Sequence, residues 1–198
     1  MSARAERVVA VAKRIFRRKG YRRATMDDLG RALGVLKGSL YHHIESKETL
    51  LYRIIAETGQ AVRGRAEEIR RLELPIAERL YSGILSHVLF FGEDPEGMAL
   101  FLNEFSNLKP RHRNEVRRIM RDYEEVFSSL VQEGMKAGAF RRDVDPKIVV
   151  YGILGMCNWL GRWYDPQGPV PLEGIGKIFA NLVLKGLCPN EAARNTEP

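Results

Sequence analysis

Residues 25–51 read TMDDLGRALGVLKGSLYHHIESKETLL, and they carry the strongest structural signal in the chain. Thr25 is placed to cap a short helix whose first turn holds two aspartates, which favour the positive end of a helix dipole. Gly34 can adopt the left-handed conformation that ends such a helix in a tight turn. Another short helix is predicted from about residue 36 to residue 43. The spacing therefore predicts a helix-turn-helix.

Two sets of side chains divide this segment. The apolar residues that would fix the two helices at a steep angle are Leu29, Leu33, Val35, Leu40 and Ile44. The residues left outside that core are Lys37, Ser39, Tyr41, His42 and His43. In helix-turn-helix proteins the second helix lies in the major groove of DNA, with its N-terminal residues at the base edges. The second set is therefore a candidate for DNA contact.

The rest of the chain also has a helical pattern. Apolar residues recur at three- and four-residue spacing, and no segment alternates as a strand would. The first helix carries the apolar stripe Val8, Val11, Ala12, Ile15 and Phe16 and ends at Gly20. Later helices are predicted at residues 46–73, 76–91, 95–108, 110–137, 146–164 and 171–187.

The fold class that we predict is all-α, with about nine helices. An N-terminal three-helix domain with the helix-turn-helix is expected at residues 1–50. A C-terminal helical bundle for ligand binding and dimerisation is expected at residues 51–198.

Positive charge is concentrated at the N-terminal end. The chain of 198 residues has a formal net charge of +7. Residues 1–55 hold 13 basic and 5 acidic side chains, whereas the remaining residues hold 19 basic and 20 acidic ones. Such a concentration suits a polyanion such as double-stranded DNA, although a solvated arginine-rich helix face gives the same count.

Composition excludes several other classes of protein. With 44% hydrophobic and 29% charged residues, the chain is typical of a globular domain with a sizeable core. No apolar run approaches the roughly 20 residues that a membrane-spanning helix needs. Cys157 and Cys188 are too few for a disulfide framework, and we expect both to be buried thiols. The sequence predicts a soluble, cytoplasmic protein without a membrane partner.

The quoted stretch resembles a known family. The runs Thr25 to Val35, Lys37 to Ile44 and Ser46 to Leu51 are similar to the N-terminal domain of the TetR family of transcriptional regulators, over about residues 5–55. The resemblance implies a homodimeric repressor that binds a palindromic double-stranded operator and is released by a small effector. One departure is Leu36, where the family usually has Ser or Thr, so a hydroxyl cap on the recognition helix is missing.

The resemblance also implies DNA contacts, position by position. The residues that match positions at DNA bases or adjacent phosphates are Lys37, Gly38, Ser39, Tyr41 and His42. Thr25 and Lys47 match positions that hold backbone phosphates at helix N-termini. Arg22 and Arg23 are added as candidates on charge alone.

Enzyme chemistry is not indicated. The sequence has no glycine-rich phosphate loop, no nucleophile motif with a paired base and no metal-ligand spacing. His42 and His43 suggest a metal site as an alternative, but neighbours on a helix do not share a face and nothing completes the ligand set. We therefore predict no metal, no cofactor and no enzyme activity.

Beyond residue 75, aromatic and methionine side chains recur with a few polar groups, a composition that suits a cavity for an elongated apolar ligand. The candidate ligand-binding residues are Phe90, Met98, Phe101, Leu102, Phe105, Met120, Tyr123, Phe127, Tyr151, Asn158, Trp159 and Arg162. Ordinary core packing is the alternative explanation for the same residues.

Two features suggest an acyl-CoA as the effector. Residues 157–168, CNWLGRWYDPQG, are similar to the C-terminal region of TetR-family regulators of fatty-acid and related acyl-CoA degradation. A basic run that could hold the phosphates of coenzyme A consists of Arg111, Arg113, Arg117, Arg118 and Arg121. The alternative for that run is a solvated face paired with neighbouring carboxylates.

The last two helices carry apolar stripes with small residues, as a dimer interface requires. The candidate interface residues are Val149, Gly152, Ile153, Met156, Ile175, Ile178, Phe179, Leu182 and Val183. A stripe of intrachain core is the alternative. For the whole protein, a constitutive or architectural DNA-binding dimer without a ligand, or a TetR-like regulator of another hydrophobic ligand, stays open.

Overall fold

The computed structural model describes residues 3–36, 38, 40 and 44–189, with only the backbone of Ala3 and Arg4. The α-helices are α1 (Ala3–Lys19), α2 (Met26–Leu33), α3 (Lys47–Arg70), α4 (Ile76–Glu93), α5 (Pro95–Asn103), α6 (Pro110–Lys136), α7 (Pro146–Asn158), α8 (Leu160–Trp163) and α9 (Leu172–Leu187). A 3-10 helix covers Phe105–Asn107. These ranges contain no strand, and the all-α prediction is confirmed.

The helix predicted over residues 95–108 is interrupted. It ends at Asn103, and the 3-10 helix follows. Arg113 reaches back from α6 and donates to the backbone carbonyls of Ser106 and Leu108, at 2.8 Å each. The Arg113 side chain thus donates to carbonyls that backbone N–H groups would pair with in a continuous helix over residues 95–108. The spacing of apolar residues does not predict such a side-chain contact.

The helix predicted over residues 146–164 is also interrupted, at Trp159. The break comes directly after Asn158, whose side chain accepts a hydrogen bond from His87 on α4. The helix predicted over residues 46–73 ends slightly earlier than expected, at Arg70. The other helix boundaries that the described residues define lie within two residues of their predicted positions, whereas the ends of the helix predicted over residues 36–43 lie outside the described residues.

The described residues pack into two compact units. The first contains the described residues within 3–60 and 94–119, and the second contains residues 61–93 and 120–189. The helices α3 and α6 contribute residues to both units. The unit with the helix-turn-helix therefore also contains α5 and the first turns of α6, while a functional division at residue 50 stays a prediction.

In the first unit, α1 buries the stripe that its spacing predicts. The buried members are Val8, Val11, Ala12, Ile15 and Phe16. The Phe16 ring packs edge to face on Tyr21, with 5.3 Å between centroids. Gly20 follows the helix with φ of +78°, which confirms the predicted left-handed stop.

A polar cluster in the same unit joins α5 to α1 and α3. Asp94 caps α5, since its Oδ1 accepts from the Gly97 N–H at 3.0 Å. Its Oδ2 accepts from Lys13 Nζ at 2.5 Å and from the Thr58 hydroxyl at 3.0 Å. A Cβ on Gly97 would lie 2.0 Å from that oxygen. Residue 97 therefore has to be glycine for the cluster to form.

In the second unit, glycines allow α4 and α9 to pack closely. A Cβ on Gly176 would lie 2.7 Å from Leu85 Cδ1, and a Cβ on Gly92 would lie 2.9 Å from Leu172 Cδ1. The buried residues Leu80, Ile84 and Val88 lie along α4. These contacts hold α4 and α9 together in the second unit.

Cysteine burial agrees with the prediction at one position and not at the other. Cys157 is buried, and burial raises the pKa of its thiol to about 12. Cys188 is exposed, so the prediction of a buried thiol is wrong there. Among the helices of the described ranges, none has the length and apolar character needed to cross a bilayer.

Candidate DNA-binding surface and effector cavity

Thr25 caps α2 in a reciprocal arrangement with Asp28. The Thr25 hydroxyl oxygen accepts from the Asp28 N–H at 3.1 Å, and Asp28 Oδ2 accepts from the Thr25 N–H at 3.0 Å. The predicted cap is confirmed. Because the exposed hydroxyl serves this cap as an acceptor, its hydrogen can be donated to an outside oxygen such as a phosphate, and that role stays a prediction.

Two cations hold the Asp28 carboxylate. Its Oδ1 lies 2.6 Å from Lys19 Nζ at the end of α1 and 2.8 Å from Arg31 Nη2 on α2. The hydrogen bond from Lys19, followed by the one from the Thr25 backbone, keeps the pKa of Asp28 well below its usual range. The ionised carboxylate therefore fixes α2 against the end of α1.

Lys47, the first residue of α3, closes the turn between α1 and α2. Its Nζ donates to the carbonyl oxygens of Tyr21, Arg22 and Ala24, at 2.9, 3.3 and 2.9 Å. The same ammonium lies 4.4 Å from the centroid of the Tyr21 ring. An ammonium has three hydrogens, and these contacts use all three. The geometry makes Lys47 a clamp that shapes the turn, and the phosphate contact of Lys47 stays a prediction.

Arg22 and Arg23 lie in the clamped turn, and both are exposed. Arg22 Nε donates to Asn107 Oδ1 at 3.2 Å, and Asn107 Nδ2 donates to Glu104 at 2.6 Å. The turn therefore lies beside the segment that joins α5 to α6. Sequence reasoning missed this neighbour because it is remote along the chain.

Most of the predicted base contacts lie outside the described residues. These are Lys37, Ser39, Tyr41 and His42, together with the neighbouring His43. Between them, Gly38 is helical and exposed, and Leu40 is helical and buried. Leu36, at the position of the missing hydroxyl, is 85% exposed and contributes no core packing. The base contacts stay predictions.

The second unit contains a small cavity next to His87. Its lining residues are Val62, Arg65, Ala66, Ile69, Gly83, Ser86, His87, Phe90 and Tyr123. The cavity holds about 10 Å³, which is room for about one water molecule. The surrounding helices must therefore separate before a larger ligand can enter.

His87 joins three helices at this cavity. Its Nε2–H donates to Asn158 Oδ1 on α7 at 3.1 Å, and its Nδ1 accepts from the Tyr123 hydroxyl on α6 at 2.5 Å. Burial lowers the pKa of His87 to about 4 and raises the pKa of Tyr123 well above its usual value. Both side chains are thus neutral near pH 7, and the hydrogen bonds fix a single tautomer of the imidazole.

Arg65 adds a charged group to the cavity wall. It forms a two-pronged ion pair with Glu93, in which Nη1 donates to Oε1 at 2.7 Å and Nη2 donates to Oε2. Its guanidinium lies 4.9 Å from the centroid of the Phe90 ring. The cavity therefore combines an apolar lining with a cation and the neutral His87 network.

Several predicted ligand residues meet at this cavity. Phe90 and Tyr123 line it, Asn158 bonds to His87, and Phe127 packs edge to face on Tyr123, with 5.3 Å between ring centroids. Sequence reasoning missed His87, although a lone histidine in the apolar run ILSHVLFF, residues 84–91, is a visible signal. It also missed Arg65 and the other lining residues of α3, which have the pattern of an ordinary helix.

The remaining predicted ligand residues lie elsewhere. Tyr151, Trp159 and Arg162 are exposed on α7, α8 and the residue between them, away from the cavity lining. Met120 is half-buried and does not line the cavity either. Four further predicted ligand residues belong to the first unit, namely Met98, Phe101, Leu102 and Phe105.

Within the first unit, three of these residues make packing contacts. Met98 is buried, and Phe101 approaches Gly59 so closely that a Cβ there would lie 2.9 Å from its ring. The guanidinium of Arg117 lies 5.6 Å from the centroid of the Phe105 ring. These contacts favour the core-packing alternative for Met98, Phe101 and Phe105, and a role of Leu102 in ligand binding stays a prediction.

Helices α7 and α9, together with Trp159 directly after α7, carry a set of exposed apolar side chains, which we call the apolar face. Its large members are Ile148 (65% exposed), Trp159 (62%), Leu182 (58%), Ile178 (53%) and Tyr151 (46%). Of the predicted interface residues, Gly152 is exposed, and Val149, Met156, Phe179 and Val183 are half-buried. Ile153 and Ile175 are buried within the protomer, so an interface on this face would rest mainly on the exposed members, and the role of these two isoleucines stays a prediction.

A groove of about 380 Å³ lies next to this face. Its lining residues are Trp163, Tyr164, Asp165, Gly168, Pro169, Val170, Ile175, Ile178 and Phe179. The lining is almost entirely apolar. Together the groove and the apolar face leave a large hydrophobic surface in contact with solvent.

Comparison with known proteins gives consistent matches over nearly the whole chain. Relatives include the HTH-type transcriptional repressor KstR2 of Rhodococcus jostii, 27% identical over 188 residues that cover 94% of this chain and 92% of that protein. The TetR-family regulator PfmR of Thermus thermophilus is 29% identical, with a TM-score of 0.86 and coverage of 91% of this chain and 98% of that one. AibR, whose structure was solved in complex with isovaleryl coenzyme A and operator DNA, is 23% identical to this chain. The match has a TM-score of 0.83 and covers 90% of this chain and 97% of that one, so the two proteins share the fold.

Two family matches divide the chain between them. Residues 8–54 match the bacterial regulatory proteins of the tetR family, and residues 73–187 match the tetracyclin repressor-like C-terminal domain. The second match alone spans more than half of the chain. The chain therefore belongs to the TetR family of DNA-binding transcriptional regulators.

Proposed function

We propose that this TetR-family protein is a homodimeric repressor that binds a palindromic operator and is released from it by a small, largely apolar effector. The observation that supports it best is the apolar face, which lies on the two helices that sequence reasoning assigned to the dimer. The cavity at His87 supports the effector, and the capped, clamped helix-turn-helix supports the operator.

The apolar face has the geometry of a helix-helix interface. On α7, Ile148 and Gly152 are one turn apart and exposed, and exposed Trp159 directly follows the helix. Neither Gly152 nor Gly155 would place a Cβ within 4 Å of another group. On α9, Ile178 and Leu182 are one turn apart and both exposed. Monomeric proteins rarely leave such a large apolar patch in water. An isologous contact would bury it and give the dimer two reading heads with twofold symmetry, which requires a palindromic operator.

Effector binding is linked to a conformational change at the cavity. An acyl chain does not fit into about 10 Å³, so a ligand binds only the conformation in which the helices around His87 have separated. Such a ligand shifts the population toward that conformation. Repression is relieved when the opened conformation binds the operator less tightly than the closed one, and only this differential affinity drives release.

A medium- to long-chain acyl-CoA is the effector class that we propose first. The resemblance of residues 157–168 to acyl-CoA-responsive regulators motivates it, and AibR provides a protein of the same fold whose own complex holds isovaleryl coenzyme A. The basic run of α6 gives only partial support. Arg113 and Arg117 already bond within the first unit, to backbone carbonyls and to Asn114 Oδ1.

Operator binding is tested with variants of the recognition helix. Lys37→Ala and Tyr41→Ala should each weaken binding to the operator selected by the wild-type protein, with unchanged circular dichroism, because base and phosphate contacts are lost without loss of core. Fluorescence anisotropy with a labelled duplex measures the affinity. Unchanged affinity in both variants would remove the assignment of the recognition helix.

Effector binding is tested by isothermal titration with acyl-CoAs of increasing chain length. Free coenzyme A and the free fatty acids serve as controls. Heat of binding together with release of labelled operator is the expected result. A ligand at 100 times its Kd should also raise the free energy of unfolding by about 2.7 kcal/mol. No heat and no release with any acyl-CoA would eliminate this effector class, and the absence of stabilisation by any apolar ligand would favour the constitutive dimer.

A further inference from the structure

We infer that the segment joining α5 to α6 extends the DNA-binding surface beyond the helix-turn-helix, with Lys109 and Arg111 as contacts to backbone phosphates. The inference rests on the proposed operator binding and adds a second element to it. Neither side chain belongs to the helix-turn-helix, and both lie within the first unit.

Hydrogen bonds place this segment beside the two elements expected at the DNA backbone. Arg22, in the turn before α2, bonds to Asn107 at 3.2 Å. Glu48, in the first turn of α3, accepts from the Lys109 N–H at 2.8 Å and lies 3.0 Å from His112 Nδ1. Residues 107–112 are thus adjacent to the N-terminal ends of both α2 and α3.

The acidic groups of this neighbourhood are largely engaged by internal contacts. The Glu48 side chain is only 11% exposed and is held by the Lys109 N–H and His112. Glu104 accepts from Asn107, and Glu115 accepts from the Tyr52 hydroxyl. These hydrogen bonds orient the ionised carboxylates toward internal donors, so contact with a phosphate falls to the exposed cations.

Several exposed cations lie on the same surface. The Arg111 side chain is 87% exposed, and it forms a long ion pair with Glu115, with 3.5 Å between Nε and Oε1. Lys109, Arg22 and Arg23 are also exposed. Exposed guanidinium and ammonium groups beside a helix-turn-helix suit sequence-independent contacts to phosphates, which position the protein on the duplex.

The clamp at Lys47 strengthens the inference. The family pattern assigns a phosphate to this position, yet its ammonium donates to three backbone carbonyls. A phosphate near the first turn of α3 then requires another cation. Lys109, whose backbone bonds to Glu48 in that same turn, is the nearest candidate along this segment.

The test measures how operator affinity depends on salt for Lys109→Gln and Arg111→Gln. Each phosphate contact contributes about 0.9 to the slope of log K against log salt concentration, so a dimer that loses one contact per protomer should lose about 1.8 from the slope. At 0.1 M salt this corresponds to about 8-fold weaker binding per contact. Arg111→Lys should keep the wild-type slope, and Arg71→Gln, an exposed arginine of the second unit, serves as the matched control.

The outcomes separate this inference from the proposed function. A smaller slope in Lys109→Gln and Arg111→Gln, with no change in Arg71→Gln, supports it. A steep wild-type slope that neither variant alters overturns the inference alone. An unaltered slope with weakened binding of acyl-CoA in Arg111→Gln overturns it in favour of a coenzyme A contact. A wild-type protein that binds no DNA overturns the inference together with the proposed function.

Discussion

Replacing Lys47 with methionine removes the clamp on the turn between α1 and α2 while keeping most of the side-chain length. The variant loses three hydrogen bonds from Nζ, to the carbonyls of Tyr21, Arg22 and Ala24, and the contact of the ammonium with the Tyr21 ring. These are the contacts that hold the turn in which Arg22 and Arg23 are presented. Both stability and operator affinity should therefore fall.

The loss of stability follows from the number of contacts. A protein hydrogen bond contributes about 0.5–1.5 kcal/mol net, and a cation on an aromatic face adds about 0.5–1 kcal/mol at exposed sites. Because Lys47 is half-buried, we take values in the lower half of the first range for each of the three hydrogen bonds, add the cation-π contact, and expect the free energy of unfolding to fall by about 2–4 kcal/mol. For a chain of this size that lowers the Tm by roughly 4–16 °C.

Thermal unfolding followed by circular dichroism measures the stability of Lys47→Met, with Lys136→Met, an exposed lysine at the end of α6, as the matched control. Operator affinity of the variant is measured across a salt series at a temperature well below its Tm. The clamp predicts a lower Tm together with weaker binding, because the turn that presents Arg22 and Arg23 is no longer held. A Tm equal to that of the wild type, together with a slope reduced by about 0.9 per protomer, would show that Lys47 contacts phosphate and would refute the clamp.

Three further predictions concern the two compact units. The pKa of His87 is about 4 in the folded protein against an ordinary value of 6.5, so the unfolded chain takes up the proton first as the pH falls. The stabilisation from neutral His87 is therefore present above pH 6.5, and the free energy of unfolding should decrease by about 2 kcal/mol between pH 7 and pH 5. Urea unfolding of His87→Gln should no longer show this part of the pH dependence. Gly97→Ala should cost roughly 2–4 kcal/mol in urea unfolding, because its Cβ displaces the Asp94 carboxylate from the cap of α5; a cost below about 0.5 kcal/mol would contradict the close packing. Leu182→Glu should convert the proposed dimer to a monomer in light scattering, whereas Leu72→Glu, also exposed but outside the apolar face, should not. A dimer in both variants would move the proposed interface elsewhere.

Local features of the fold follow from the sequence alone. The cap of α2 by Thr25, the stop at Gly20 and the buried stripe of α1 each depend on residues within about two helical turns of one another. Propensity and periodicity act at this range. The bounds of α1, α2 and α9 therefore agree closely with their predicted positions.

The contacts that shape the candidate sites act over longer distances in the sequence. Lys47 bonds to a carbonyl 26 residues away, and His87 bonds to a side chain 71 residues away. Hydrophobic periodicity does not encode such partners. The family pattern even suggests a different one for Lys47, because it assigns the position to phosphate, whereas the fold of this chain places three carbonyls around the ammonium.

Periodicity also fails to separate a buried stripe from an exposed one on the same helix. On α7, Ile153 faces the interior of the protomer and Ile148 faces solvent, although both are apolar residues on an apolar helix. On α9, Ile175 and Ile178 differ in the same way. Only the packing of neighbouring helices decides which of these residues remain available for a partner, so the interface predicted from sequence mixed the two sets.

Under the proposed function, an effector has to replace the hydrogen bonds that break when the cavity opens. His87 donates to Asn158 and accepts from Tyr123 at the cavity wall, and a ligand made only of hydrocarbon leaves such groups unpaired at a cost of about 1–3 kcal/mol each. At about 25 cal/mol for each Å² of buried apolar surface, an unpaired group offsets the burial of roughly 40–120 Å² of hydrocarbon. An acyl chain that carries a carbonyl or hydroxyl oxygen at the point where it meets His87 avoids this cost. Titration with a series of acyl-CoAs in which one oxygen is moved along the chain should therefore find one position that binds at least several-fold more tightly than the unsubstituted chain, and His87→Phe should abolish that preference while it retains binding of the unsubstituted chain. Equal affinity for every position would show that the His87 network stays closed when the effector binds.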